Sequence, residues 1–437
     1  MEISLLEILD AREKRAQAQQ QLLAQYRVPL LCFTMNIAGP VKNSPLIRRG
    51  FQAGLDALDS QLPAECILHR QLSTEATGCE AIYAVSMAAG QLKALCTAIE
   101  ESTPLGRLFD MDVLDVNGTK LERQGQRGCI VCGAPGRGCA AGRLHSVTQL
   151  QAVTNQILRE HFALADQQRI AASAVQSLLD EVNTTPKPGL VDRRNSGSHR
   201  DMGMEQFTAS AKALEPYFTE CVKLGQDTSV QLPEMTFPLL RQAGLAAEQA
   251  MYRATGGVNT HKGAIYTLGV LCGALGRLWT PEVPIAPTQA ILFQGAQLVK
   301  ASAQADFAAM TGTTAGQRLY LQQGCKGIRG EVAAGLPSVA DIGLPAYRDA
   351  LSKGLSPNDA GAVTLLHLVA AVEDTNLLHR GGAQGAAWAR DAARRLLPHP
   401  SIQQLEALDD AFIARNLSPG GCADLLAVTY FLHSLNL

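Results

Sequence analysis

Beyond Thr148 the chain carries almost no strand signal. Alanine-rich segments follow one another at 240–254, 261–276, 286–310, 357–378, 385–396, 402–415 and 421–435, punctuated by Gly, Pro, Asn and Asp. Apolar residues at helical spacing between such breakers predict helices. A stretch this long with no strands to pair must bury its apolar faces helix against helix. The second half is therefore expected to be an all-α domain over 166–437, entered through a helical pattern that starts at Val153, Ile157 and Leu158.

The first half has a different texture. Leu30 to Ile37 reads as a strand running into Gly39-Pro40, Leu46 to Leu62 as a helix, Ala81 to Ser86 as a strand and Gly90 to Glu101 as a helix. Val113 to Val116, Asn117-Gly118 and Thr119 to Glu122 predict a hairpin with a type I′ turn, which needs positive φ. Gly128 to Gly133 is expected to add a short strand. The mixture predicts an α+β domain over 1–165, and 437 residues leave room for both domains. A net charge of −2 gives no basic balance toward nucleic acid. The apolar run Gly263 to Gly276 falls short of the roughly 20 residues of a membrane span and reads as a buried helix. Acids in Met1 to Glu7 are unlike a signal peptide, and eleven scattered cysteines suit a reducing compartment, so a cytoplasmic protein is expected.

Several polar stretches carry chemistry. Asn183 to Asp201 holds two prolines, two glycines, Lys187, Arg193, Arg194, Arg200 and His199, with Asp192 and Asp201 as anions. That inventory suits a polyphosphate with a metal. Thr255 to Gly263 places Gly256, Gly257, His261 and Lys262 just before an apolar helix. Glycines there let N–H groups approach an anion, although P-loop spacing is absent. Glu373-Asp374-Thr375-Asn376, with His379-Arg380 beyond, reads as the close of a helix that puts His367 and Asp374 on one face. Acids at a helix carboxyl end oppose its dipole, which points to a compensating ligand or metal, or to a solvated end. Asp424, in the first turn of the last helix, reads as a cap. Loops of this kind at helix ends predict a cleft.

In the first half, Asp110 and Asp112 alternate with Phe109, Met111 and Val113, so both carboxylates share one strand face. Such a pair can hold Mg2+ against a polyphosphate, and it can equally be a solvated face. Lys42, Arg48 and Arg49 are candidate phosphate contacts. Cys129-x2-Cys132-x6-Cys139 with His145 has metal-ligand character but matches no standard zinc module, so both readings stay open. Pro135 interrupts the glycines from Gly133 to Gly138, which excludes a dinucleotide fingerprint.

Thr185 to Asp192, Ser198 to Met202, Gly256 to Gly263 and Glu373 to Asn376 together resemble triphosphoribosyl-dephospho-CoA synthase over the whole second half. Arg12-Glu13-x-Arg15, Gly39-Pro40-x-Lys42, Arg107 to Asp112 and Cys129 through His145 resemble apo-citrate lyase phosphoribosyl-dephospho-CoA transferase. The resemblance implies a nucleotidyltransferase-like first domain fused to a synthase domain. The synthase would join ATP and 3′-dephospho-CoA with loss of adenine. The transferase would attach the product to a serine of the citrate lyase acyl carrier subunit with loss of pyrophosphate. An α-linked product from β-linked ATP implies one inverting displacement. On this reading Lys187, Arg193, His261 and Lys262 take the triphosphate and His199 contributes to substrate binding. Mg2+ falls to some of Asp192, Asp201, Glu373 and Asp374, and the base is Asp201 or Asp374. In the first half Asp110 and Asp112 hold Mg2+, with Asp112 catalytic and Arg107 or Lys42 on the leaving pyrophosphate. An ADP-ribosyl hydrolase, in which water replaces the CoA hydroxyl, is the rival for the second half. A non-catalytic docking module for the carrier is the rival for the first.

Overall fold

The computed structural model describes residues 3–435 apart from 124, 126, 398 and 399. The chain divides into two compact units, Met1–Ala165 and Asp166–Leu437. The first is built on four antiparallel strands, β1 (Leu30–Met35), β2 (Ile67–Glu75), β3 (Gly78–Val85) and β4 (Phe109–Leu114), in the order β2-β3-β1-β4. With them go α1 (Leu5–Tyr26), α2 (Pro45–Gln61), α3 (Ala89–Ser102) and the short α4 (Gly136–Gly142). Helix α5 (Val147–Asn183) starts in this unit and ends in the next.

Alternation along β1 sorts the two faces of the sheet. Leu31 and Phe33 pair with Tyr83, Ala81, Val113 and Met111, all buried. On that side Phe51 of α2 stacks on Phe33 with ring centroids 4.9 Å apart. Gly54 leaves room for the same ring, since a Cβ there would lie 2.3 Å from it. The opposite face carries Cys32 and Thr34, in register with Asp112 and Asp110. There Leu22 of α1 clusters with Leu30, Cys32, Ile82 and Ala84.

Three elements of this unit, α1, β2 and the short α4, are not among those expected from the sequence. The residues of β2 are mostly exposed, as on an edge strand, so no apolar alternation marks it. Helix α1 is largely polar, but Ser4 and Glu7 form a capping box, which is a readable start signal. The expected hairpin survives only as a turn. Beyond it, pairing shrinks to one bridge between Leu114 and Lys120. Gly118 takes φ 82° while Asn117 does not turn positive, so the turn is not type I′. Asp115 Oδ1 instead accepts from the N–H groups of Asn117 (2.9 Å) and Thr119 (2.8 Å), which fixes a different turn. The strand expected at Gly128 to Gly133 is likewise a turn closed by a single Gly128–Pro135 bridge.

The second unit has only helices among its described residues. They are α6 (Met204–Ala213), α7 (Glu215–Asp227), α8 (Pro233–Thr255), α9 (Lys262–Leu278), α10 (Thr288–Ala308), α11 (Ala315–Gln323) and α12 (Gly327–Ala333). After a π-helical turn at Ser338–Gly343 come α13 (Leu344–Ser352), α14 (Pro357–Ala371), α15 (Thr375–Leu396), α16 (Ile402–Ala414) and α17 (Gly420–Ser434). Helix α9 is buried nearly all round, as its unbroken apolar run predicts, and forms the centre of the unit. Gly225 and Gly276 bring α7 and α9 into backbone contact: a Cβ on Gly276 would lie 2.0 Å from the Val222 carbonyl oxygen. No helix among the described residues is long and apolar enough to cross a membrane.

The helix expected over 357–378 is broken. Helix α14 ends at Ala371, and Asp374 takes extended backbone as the N-cap of α15. His367 and Asp374 therefore do not share a helix face. Asp374 meets the positive end of a dipole rather than the negative end, so no compensating ligand is required there.

Candidate functional site

The polar segment 183–201 spends most of its charge holding itself in place. Asp192 is buried and accepts from the N–H groups of Lys187 (2.8 Å), Arg194 (2.7 Å) and Asn195 (3.1 Å). Fully buried Asp409 takes the Gly189 N–H (2.9 Å), Arg194 Nη1 (2.5 Å) and Asn195 Nδ2 (2.7 Å). Gly189 sits at φ 73°, with the Leu417 carbonyl oxygen 2.2 Å from where a Cβ would be. Arg193 donates to Asn358 Oδ1 (2.9 Å) and lines a separate small cavity of about 220 Å³. Asp201 is exposed and, like Asp192, is not part of the main cavity lining. Of this segment's candidates, Lys187 and His199 face the main cavity.

That cavity, about 710 Å³, lies within the second unit. The first turns of α9, α15 and α17 all line it, so the positive ends of three helix dipoles meet there. Carboxylates brace these helix starts against one another. Asp374 Oδ1 accepts from Asn376 N (2.7 Å) and Leu377 N (3.1 Å) in α15, and its Oδ2 accepts from Cys422 N (2.8 Å) in α17. Asp424 does not cap its own helix. It accepts from Ala264 N in α9, and a Cβ on Gly263 would fall 1.9 Å from its Oδ2. Burial, reinforced by the nearby charges of Glu181 and Asp374, raises the Asp424 carboxyl well above the usual carboxylate range.

Glu181 was not singled out from the sequence. It lies buried in the last turn of α5, ion-paired with the equally buried Lys187. Burial raises its carboxyl against the pull of that ammonium. The readable signal was an acid at a helix carboxyl end, against the dipole, six residues before a lysine.

Two polar atoms of the cavity lining, Thr260 Oγ1 and His261 Nε2, are buried with no hydrogen-bond partner among the described residues. A buried polar atom of this kind calls for a partner that the described residues do not supply. His261 Nδ1 lies 2.7 Å from Ser210 Oγ, and the ring stands edge-on to Phe207. Burial, aided by the Lys187 charge, depresses its pKa to about 3, so the imidazole is neutral and not one of the cations. The unfolded chain binds a proton near 6.5 that the folded one refuses until about 3, so stability is full above 6.5 and is lost as pH falls through that window. This group alone should remove about 1.4 kcal/mol per pH unit within it. Urea unfolding followed from about pH 7 to about pH 5 should show the loss, and His261→Gln should flatten it by that amount. An unchanged slope in the variant would contradict the neutral assignment.

Around the cavity, Lys262 pairs with Glu248 (2.8 Å), Arg329 donates to Asp306 (3.2 Å), and Lys326 and Glu373 are exposed lining residues. His199 Nε2 is 2.9 Å from Ser418 Oγ and its Nδ1 is 3.3 Å from Arg380, which also donates to the Ser198 carbonyl (2.9 Å). Burial and the Arg380 charge lower the His199 pKa. Oxygen donors at Glu181, Glu373 and Asp424 line the cavity and suit a hard divalent ion, which would relieve the repulsion between Glu181 and Asp424. Asp374 is less available, since three backbone N–H groups occupy it. No three carboxylates among the described residues converge within 4.8 Å, so any Mg2+ here would rely on one or two of them plus substrate phosphates.

In the first unit Asp110 and Asp112 share one sheet face, as their spacing predicts. The same face carries Glu80, in register with Thr34 and Asp110, and Arg15 of α1 pairs with Glu80. Lys120 Nζ lies 2.5 Å from Asp112 Oδ2. Lys42 donates to the Ile37 carbonyl, and burial and the neighbouring Arg12 lower its pKa. Arg107 Nη2 donates to the Gly128 carbonyl (2.5 Å). Acids and cations thus gather around the Asp110 face, while Arg107 is held by the loop that follows β4.

The family model for ATP:dephospho-CoA triphosphoribosyl transferase matches residues 167–437, and that for apo-citrate lyase phosphoribosyl-dephospho-CoA transferase matches residues 3–161. Protein CitXG of Haemophilus influenzae is 36% identical over 99% of this chain and 96% of its own length. A probable 2-(5''-triphosphoribosyl)-3'-dephosphocoenzyme-A synthase of Citrobacter koseri is 43% identical, covering 61% of this chain and 90% of that protein.

Proposed function

The chain belongs to the family that fuses a phosphoribosyl-dephospho-CoA transferase to a triphosphoribosyl-dephospho-CoA synthase, and from that premise we propose that the cavity of the second unit is the synthase site. The protein is a bifunctional transferase of citrate lyase prosthetic group biosynthesis and attachment. The observation that carries the site is the meeting of three helix N-termini with two neighbouring carboxylates, buried Glu181 and half-buried Asp424, in one cavity. Anionic phosphates suit the helix ends, with Lys262 and Lys326 nearby. Thr260 Oγ1 and His261 Nε2 offer neutral hydrogen bonds to ribose or adenine. Asp424, with its raised pKa, takes the proton of the 2′-hydroxyl of dephospho-CoA as the new bond to the ribose C1 forms and the bond to adenine breaks. Glu181 and Glu373 are the carboxylates that would hold Mg2+ with the triphosphate, and the ion when bound neutralises phosphate charge.

For the first unit the reading is nucleotidyltransferase-like. Asp110 and Asp112 would hold Mg2+ against the triphosphoribosyl intermediate, and Arg12, Arg15 and Lys42 supply cations for the departing pyrophosphate. The acceptor is a serine of the citrate lyase acyl carrier subunit. Eleven unpaired cysteines suit the cytoplasm.

One two-stage assay tests both halves. Adenine should appear from ATP and Mg2+ only when 3′-dephospho-CoA is present, and pyrophosphate only after the carrier protein is added. Adenine without dephospho-CoA would favour an ADP-ribosyl hydrolase. Adenine without any later pyrophosphate would reduce the first unit to a docking module.

A further inference from the structure

The four residues Cys129, Cys132, Cys139 and His145 take no part in the chemistry above, yet their ligand atoms all lie within 4.8 Å of one another. Cys132 Sγ is 3.5 Å from Cys139 Sγ and 3.3 Å from His145 Nε2. Around a tetrahedral zinc ion, bond lengths of about 2.3 Å to sulfur and about 2.0 Å to nitrogen put ligand atoms roughly 3.5–3.8 Å apart. The set is nearly that compact already, and all three thiols are unpaired.

The backbone is arranged to suit. Cys129 and Cys132 lie on one tight turn, closed by Gly133 N to Cys129 O (2.9 Å) and Cys129 N to Ala134 O (2.6 Å), with Gly133 at φ 74°. The Val131 N–H donates to Cys129 Sγ (3.4 Å), which fixes that sulfur on the inner side of the turn. Cys139 comes from α4, which Pro135 precedes, and His145 from the turn after that helix. A turn thus supplies two ligands, a helix the third and a loop the fourth.

We propose that Cys129, Cys132, Cys139 and His145 form a structural zinc site. Four protein ligands leave no position open, so the ion would brace the chain and not act on substrate. What it would brace is specific. The Gly128 carbonyl accepts from Arg107, and Arg127 donates to the carbonyls of Phe109 (2.7 Å) and Gly106 (3.2 Å). The cluster therefore begins immediately after the residues that tie this loop to the strand bearing Asp110 and Asp112.

Metal analysis of the full-length protein, purified under reducing conditions with zinc available, tests this. About one zinc per chain is expected, released when the thiols are alkylated. Cys129→Ser and Cys139→Ser should lose the metal, whereas Cys66→Ser, outside the cluster, should keep it. Cobalt loaded in place of zinc should give the visible absorption of a tetrahedral thiolate site. The proposal is overturned if the folded, reduced wild-type chain binds no zinc, if both cluster variants retain it, or if peptide mapping finds a Cys132–Cys139 disulfide. Where a variant does not fold, the wild-type metal content and its release on alkylation decide alone.

Discussion

Asp424→Asn is expected to lower adenine release by about 10²–10⁴-fold, the usual range for removing a general base, while the protein stays folded. Asn retains an oxygen to accept the Ala264 N–H, so the brace between α17 and α9 survives. It removes a charge that Glu181 and Asp374 disfavour, so stability should hold or rise slightly. The loss should fall on kcat, with little change in KM for either substrate, because the interaction is made as the hydroxyl is deprotonated. Two comparisons isolate the effect. Asp201 is exposed and outside the cavity lining, so Asp201→Asn should leave kcat within about twofold. Asp374 gives both oxygens to backbone N–H groups of α15 and α17, so Asp374→Asn should act first on stability, seen as a lowered thermal midpoint. Full activity in Asp424→Asn would remove Asp424 from the role, and a base-sized loss in Asp201→Asn would return it to Asp201.

The contrast between these aspartates shows how far the sequence could be read. The family motifs were legible, because Thr185 to Asp192, Gly256 to Gly263 and Glu373 to Asn376 all contribute to one cavity. The all-helical second half was legible too, since α9 and its neighbours are long and strongly patterned. What a motif does not tell is which of its polar groups face inward. Asp192, Arg193 and Arg194 are as polar as Lys187, yet they are consumed by turns and by Asn358 and Asp409, far away in sequence. Asp374 looked like a helix end because the apolar pattern of α14 runs straight into it, and only its backbone angles reveal the next helix beginning. Glu181 goes unmarked and Asp424 reads only as a cap for the same reason: one ends a helix, the other begins one, and their meeting is a tertiary event. In the first half the period-2 pattern around Asp110 and Asp112 was enough to place them on one face. The turn after them was misread because the Asp115 side chain, not Asn117-Gly118 alone, sets its geometry.

Lys187→Met is expected to destabilise the second unit by about 3–5 kcal/mol, because it leaves a buried carboxylate without its partner. Lys187 and Glu181 have side chains only 1% and 6% exposed, and the ammonium donates directly to Glu181 Oε1. Burial already pushes the Glu181 carboxyl up, and Lys187 is the charge that opposes the push. Without it the folded pKa rises further above the unfolded value of 4.5. A raised carboxyl destabilises the fold at pH above its unfolded pKa, and the penalty fades as pH falls toward that value. The variant should therefore be weakest near neutral pH and recover toward about pH 5, the reverse of the trend expected from His261. The double variant Lys187→Met/Glu181→Gln should regain most of the loss, since removing both charges costs far less than stranding one. Urea midpoints at two pH values read all three proteins. A single variant as stable as wild type, or a double variant no better than the single, would mean that the pair is not a buried charge pair. Activity should not return with stability. The rescued double variant lacks the carboxylate that raises Asp424 and would help to hold Mg2+, so it is expected to fold and yet release little adenine. That separation of folding from turnover distinguishes a catalytic pair from a merely structural one.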